Sequence, residues 1–194
     1  MTESDNSPSL VTSPLRRRLT EVRIPPDVQH FFTDWSATLF LVAVVEAELP
    51  DTPGVLPVWA AVTRCCPRAE LRILDPNQIG LLEQLVGGES ELDLQSLELP
   101  ALLIFDDEWV LQANWGPRPA SAEPLLDEWL ARHPEYEQLV AADEAGDESA
   151  SLPLGELGEA LQWEMRTWYN SGLDRDVARE MQALVAALSE AIEE

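Results

Sequence analysis

Few residues in this chain are spaced for chemistry. The only thiols, Cys65 and Cys66, are adjacent. Adjacent cysteines give neither a disulfide framework nor the Cys-x-x-Cys pair of thiol–disulfide exchange. The only histidines, His30 and His133, lie far apart with no cysteine beside them. Metal-ligand spacing is therefore absent, and neither a metal nor a cofactor is expected. Asp51, close to Glu46 and Glu48, belongs to an acidic cluster that would raise a carboxyl pKa. Capping the following helix is its simpler role. Gly87-Gly88 closes a predicted helix where a phosphate loop would open one. No Ser, His and Asp are arranged as a triad. The predicted catalytic set is empty, with Cys65 and Cys66 as the alternative. Those two fall near the C-terminal end of a predicted helix, where the dipole disfavours a thiolate. Arg64 and Arg68 pull the other way, but free cysteine behaves mostly as a small hydrophobe.

Charge narrows the functional classes. The 194 residues carry 36 acids against 12 bases, all of them arginine, for a net charge of −24. Such a chain repels phosphate backbones and anionic membranes, so nucleic acid and membrane are not expected partners. High solubility explains the charge most simply; a salt-rich habitat is a second explanation. The longest apolar run, near Ala37 to Val45, is too short to span a bilayer. The polar start, MTESDNSPSLVTSP, has no apolar secretory core, and the cytoplasm is the expected location.

The elements that must position any site follow from periodicity. Residues 1–14 read as a disordered tail. Arg16, Arg17 and Arg18 form the single basic cluster, which is expected to be solvated or to dock on the acidic protein itself, with an anchor for an acidic partner surface as the alternative. Pro25-Pro26 opens a short aromatic helix with Phe31, Phe32 and Trp35. Thr38–Val45 is a β-branched run suited to a strand buried on both faces. After Glu46–Asp51, Thr52 is placed as N-cap and Pro53 as first residue of a helix running to Cys66. Leu71–Leu74 is a second strand and Gln78–Val86 a helix, which implies parallel pairing through a right-handed crossover. Ala101–Phe105 and Trp109–Trp115 read as a hairpin. A helix from about Ala122 to Ala141, bent at Pro134, comes next. An acidic linker or loop is placed at 143–153. Glu156–Tyr169 and Asp174–Ile192 are the last helices, the latter carrying an apolar stripe through Val177, Met181, Leu184, Val185, Leu188 and Ile192. The stripe should pack on the body or on a second copy, so a homodimer through this helix is one expectation. The reading is a domain at 15–142 and a helical extension at 154–194 packed on it.

Some of these residues form motifs. Glu48-Leu49-Pro50-Asp51 ends a strand and is followed by Leu56-Pro57 inside the helix. Leu99-Pro100 starts a hairpin strand, Trp115-Gly116-Pro117-Arg118-Pro119 leaves the hairpin, and Trp168-Tyr169 precedes the last helix. From about Pro25 to Leu188 this order resembles a bacterial branch of the thioredoxin-like superfamily. That branch has a Trp-Cys-Gly-Asp active site, a helical Leu-Pro, an Ile-Pro before the hairpin strand and the same Trp-Gly-Pro-Arg-Pro run. The resemblance implies an α/β, three-layer thioredoxin-like fold: a mixed sheet of about four or five strands flanked by helices, with extra N- and C-terminal helices. It also implies a cis Leu99-Pro100 peptide. The attacking cysteine aligns with Leu49 and the resolving position with Thr52, so the redox chemistry of that branch is missing. What the resemblance leaves is a redox-inactive module binding a protein or peptide beside the cis-proline. Glu48, Leu49, Pro50, Asp51, Thr52, Leu99, Pro100, Trp115 and Arg118 are the expected binding residues. A thiol–disulfide oxidoreductase or thiol sensor using Cys65 and Cys66 is the alternative.

Overall fold

Alternating side chains on the central strand account for the layering. In strand β1 (Leu39–Val44), Leu39, Leu41 and Ala43 point into one apolar cluster, and Val42 and Val44 into another on the opposite face. Period-two alternation does this to any strand covered on both sides. The computed structural model of the chain describes residues 13–86 and 94–192. The expected tail at 1–14 therefore lies almost wholly outside the described residues.

Four strands form one mixed sheet in the order β2-β1-β3-β4. Strand β2 (Ala69–Leu74) runs parallel to β1, with Leu41 beside Leu71. Strand β3 (Ala101–Phe105) is antiparallel to β1, with Leu41 opposite Ile104, and all five of its residues are buried. Strand β4 (Leu111–Trp115) closes the hairpin on β3. It starts later than the Trp109 read from sequence, because Trp109 takes the turn at φ 62°.

Helices α1 (Ser13–Glu21), α2 (Pro26–Asp34) and α3 (Thr52–Cys65) cover one face together with the last helix, α8 (Asp174–Ile192). Val28, Val55, Trp59, Val62, Val177 and Met181 fill that core. Helix α4 (Ile79–Val86) and the turn Leu94–Ser96 cover the other face through Leu82 and Leu94. This is a thioredoxin-like three-layer α/β fold with additional helices at both ends.

The second half of the chain differs from the sequence reading in two places. The helix expected over Ala122–Ala141 is two helices, α5 (Glu123–Arg132) and α6 (Glu135–Glu144). Pro134 disfavours helical geometry at the residue before it, and His133 sits at φ −128°, ψ 62°. The acidic stretch 143–153 is largely helical. Helix α7 runs from Glu148 to Trp168, and Asp147 accepts a hydrogen bond from the Ser149 amide at 3.0 Å to cap it. Pro153 lies inside α7 and forfeits one backbone bond without ending the helix. Of the two coverings expected for the α8 stripe, the body of the chain supplies one: Val177, Met181 and Val185 are buried in its core, and Leu184 and Leu188 pack against it.

The basic cluster docks as expected on the protein itself, through one residue. Arg18 is 1% exposed and bonds the Asn170 and Asp174 carboxamide and carboxylate oxygens where α7 passes into α8. Arg16 and Arg17 face solvent. The cluster thus anchors α1 to the C-terminal helices and leaves the acidic residues near Leu49 alone.

Candidate functional site

The junction between β1 and α3 brings the site together. Asp51 occupies the N-cap position of α3, and its carbonyl accepts from the Gly54 and Val55 amides at 2.9 and 3.0 Å. Thr52, read from sequence as the cap, lies in the first turn and donates its hydroxyl to the Glu46 carbonyl at 2.6 Å. The Asp51 carboxylate makes no capping bond. It is buried and accepts from Arg118: Nε lies 3.1 Å from both oxygens and Nη2 2.6 Å from Oδ2. Burial pushes the Asp51 carboxyl above its ordinary value, against the pull of Arg118. Glu123 also reaches Arg118, at 3.5 Å.

This pairing explains most of the Trp115–Pro119 run. Trp115 stands edge-on to Trp59 with centroids 5.7 Å apart, and its indole N–H donates to Glu180 on α8 at 2.7 Å. Gly116 has φ +142°, and a Cβ there would come within 3.0 Å of the Pro100 carbonyl oxygen; only glycine fits. Arg118 then reaches the N-terminus of α3. The motif ties the hairpin to α3, to α8 and to the Leu99-Pro100 peptide, which is cis, as is Gly116-Pro117.

Beside the junction lies an open groove of about 500 Å³. One wall is Leu49, Pro50, Asp51, Leu99 and Arg118. The other comes from α5, α6 and α7, through Leu126 and Leu130, Tyr136 and Val140, and Leu161 and Met165. Each pair is four residues apart and so shares a helix face. Helix α6 has no buried residue, because its inner face looks into this space. The α5–α6 corner is held by Trp129, buried in the core: His133 stacks on it at 4.1 Å and Tyr136 meets it edge-on at 5.2 Å. Burial raises the Tyr136 phenol pKa, with the Asp51 charge adding to it.

Of the nine residues expected to bind, Leu49, Pro50, Asp51, Leu99 and Arg118 line the groove. Glu48 is exposed next to Leu49, while Thr52, Pro100 and Trp115 are buried in supporting positions. The α5–α7 wall went unread in the sequence. Its signal was there, as apolar pairs at four-residue spacing, but nothing local says that such pairs face a groove.

The thiols lie at the far end of α3 from Leu49. Cys66 is 4% exposed and Cys65 is half-buried, its Sγ 3.3 Å from the Ala61 carbonyl oxygen. Burial raises both thiol pKa values, the opposite of what a reactive cysteine has. Among the described residues no group of three or more His, Cys, Asp or Glu could hold a metal ion. Nor is any helix among them long and apolar enough to cross a membrane.

The chain is similar in structure to a crystallised protein of unknown function from Pseudomonas aeruginosa. The TM-score is 0.56 and the identity 17%, over 94% of this chain and 88% of that one. It is also similar to an HIV epitope-scaffold, at TM-score 0.54 and 17% identity, over 93% of this chain and 87% of the other. At that identity the likeness extends to the fold. No family model matches the chain, and no curated protein matches it.

Proposed function

We propose that this chain is a redox-inactive, thioredoxin-like binding module that takes a protein or peptide segment in the groove beside Leu49 and Leu99. The observation that carries the reading is the identity of the residue at the β1–α3 junction. Where the resembled branch has its attacking cysteine, this chain has Leu49, a side chain without nucleophilic or acid–base capacity. It lines an apolar groove that the described residues leave open. A groove of this volume, apolar with a few convergent polar groups, has the anatomy of a binding pocket. Asp51 and Arg118 satisfy each other and fix its floor.

The alternative use of Cys65 and Cys66 has less support, since both thiols are shielded and far from the groove. Two assays separate the readings. Selection from a peptide-display library should enrich sequences on the wild-type protein that are lost on Leu49→Asp. Insulin reduction should run no faster with the protein than with dithiothreitol alone. Enrichment indifferent to Leu49→Asp would remove the binding reading, and turnover lost in Cys65→Ser would favour the thiol reading.

A further inference from the structure

The groove has a charge pattern as well as an apolar lining, and the pattern selects among occupants. Its four ionisable side chains other than Tyr136 are Asp51, Arg118, Glu137 and Glu144. Arg118 is spent on Asp51, with Glu123 as its second contact. Glu137 and Glu144 on α6 are exposed, and neither has an ion pair or side-chain hydrogen bond among the described residues. They lie seven residues apart, two turns along one side of the helix, with Val140 and Ala141 between them on the apolar wall. Glu48 and Glu98, which directly precede the lining residues Leu49 and Leu99 in sequence, are also exposed. The groove is therefore an apolar slot with unneutralised carboxylates along its α6 wall.

We infer, building on the binding role proposed above, that the groove's occupant is a short segment with an apolar centre flanked by lysine or arginine. Three considerations select it. An apolar centre is what Leu49, Leu99, Leu126, Leu130 and Val140 can take out of water. Flanking cations meet Glu137 and Glu144, whereas flanking acids would face them and gain nothing. A second copy of this chain is a poor occupant, since each copy carries a net charge of −24 and presents the same acidic mouth. The apolar centre supplies affinity, and the rim charges supply selection and encounter rate.

Global attraction of any cation to so acidic a protein must be separated from the local effect, and paired charge reversals do that. Two immobilised peptide mixtures serve as probes. Each has four central positions randomised over Leu, Ile, Val, Met and Phe, flanked by two lysines in one and two glutamates in the other. Retained sequences are then titrated by calorimetry against the wild type, Leu49→Asp, Glu137→Arg/Glu144→Arg, and Glu156→Arg/Glu159→Arg. The last pair makes the same change in net charge on exposed residues of α7 outside the groove. The lysine-flanked peptides should bind the wild type about tenfold more tightly than the glutamate-flanked ones, as two exposed ion pairs allow. The preference should shrink as salt screens it. It should disappear or reverse in Glu137→Arg/Glu144→Arg and survive in Glu156→Arg/Glu159→Arg. Equal loss of preference in both reversals would overturn the inference in favour of non-specific charge. Equal binding of both mixtures, abolished by Leu49→Asp, would overturn it while leaving the binding reading intact. Retention of neither mixture, or binding indifferent to Leu49→Asp, would overturn both. A dimer by sedimentation that Leu49→Asp dissociates would assign the groove to a second copy and overturn the inference as well.

Discussion

Arg118→Met is the sharpest test of how the site is built. Among the described residues its guanidinium is the one cation bonded to the buried Asp51 carboxylate, whose side chain is 7% exposed. Methionine keeps much of the aliphatic bulk and removes the charge. Breaking one side of a buried ion pair costs about 3–5 kcal/mol, because the remaining charge is left unpaired. Arg118 is itself 21% exposed, so water can replace part of what it supplies. The lower end, about 3 kcal/mol, is therefore expected, and it corresponds to a fall in Tm of roughly 6–12 °C for a domain of this size. The pH dependence gives the prediction its sign. The folded-state pKa of Asp51 is raised above the ordinary value. Its contribution to stability is thus present below the unfolded pKa and lost as pH rises through the folded one. Removing Arg118 raises the folded pKa further and enlarges the loss at neutral pH. Urea unfolding of Arg118→Met should show the full penalty at pH 7 and a smaller one as the pH is lowered and Asp51 protonates. Asp51→Asn/Arg118→Met should recover most of the stability, with a coupling energy well above that of independent sites. A pH-independent loss below about 1 kcal/mol, the range of an exposed pair, would refute the buried-pair account.

Further outcomes follow from other contacts. Gly54→Ala should destabilise the protein by about 1–3 kcal/mol through overpacking, since a Cβ at that position would meet the buried Tyr169 ring closer than 3.0 Å; Gly54→Ala/Tyr169→Leu should regain part of it in the same unfolding assay. Glu21 behaves oppositely to Asp51: hydrogen bonding to Arg166 lowers its pKa from 4.5 to about 2. The stability it contributes is present above the unfolded pKa and lost as pH falls through that range, so Glu21→Gln should lose less stability than the wild type between pH 7 and pH 3. Cys65 should react with a disulfide reagent at pH 7.5 more slowly than a free thiol, and Cys66 more slowly still, because burial raises both pKa values; a fast phase would contradict the shielding described for them.

Legibility in the sequence tracked the locality of each signal. The β1 run and the ALLIF strand could be read because both lie in the middle of the sheet, where burial on two faces leaves only apolar residues. Asp51 drew attention as part of an acidic cluster, but its partner is 67 residues away, and no local pattern links a helix N-terminus to the end of a hairpin. Charge patterns were legible only in outline for the same reason. The run of arginines suggested one docking patch, yet Arg18 alone is buried while its neighbours face water. At 143–153, acidic and small residues suggested a linker or loop; the Asp147 cap and the packing of α7 on α6 prevailed. The groove itself was half legible. Its thioredoxin-like wall followed from motif positions, while its α5–α7 wall depends on how three helices are placed around Trp129.

Hydrogen–deuterium exchange on the protein with and without a peptide selected against it tests the central claim most directly. The account predicts new protection confined to the segment around Leu49–Asp51, the residues beside Leu99 and the inner face of α6, and absent in Leu49→Asp. Protection elsewhere instead, such as around the stacked Phe40 and Trp109 rings or beside Cys65 and Cys66, would contradict it.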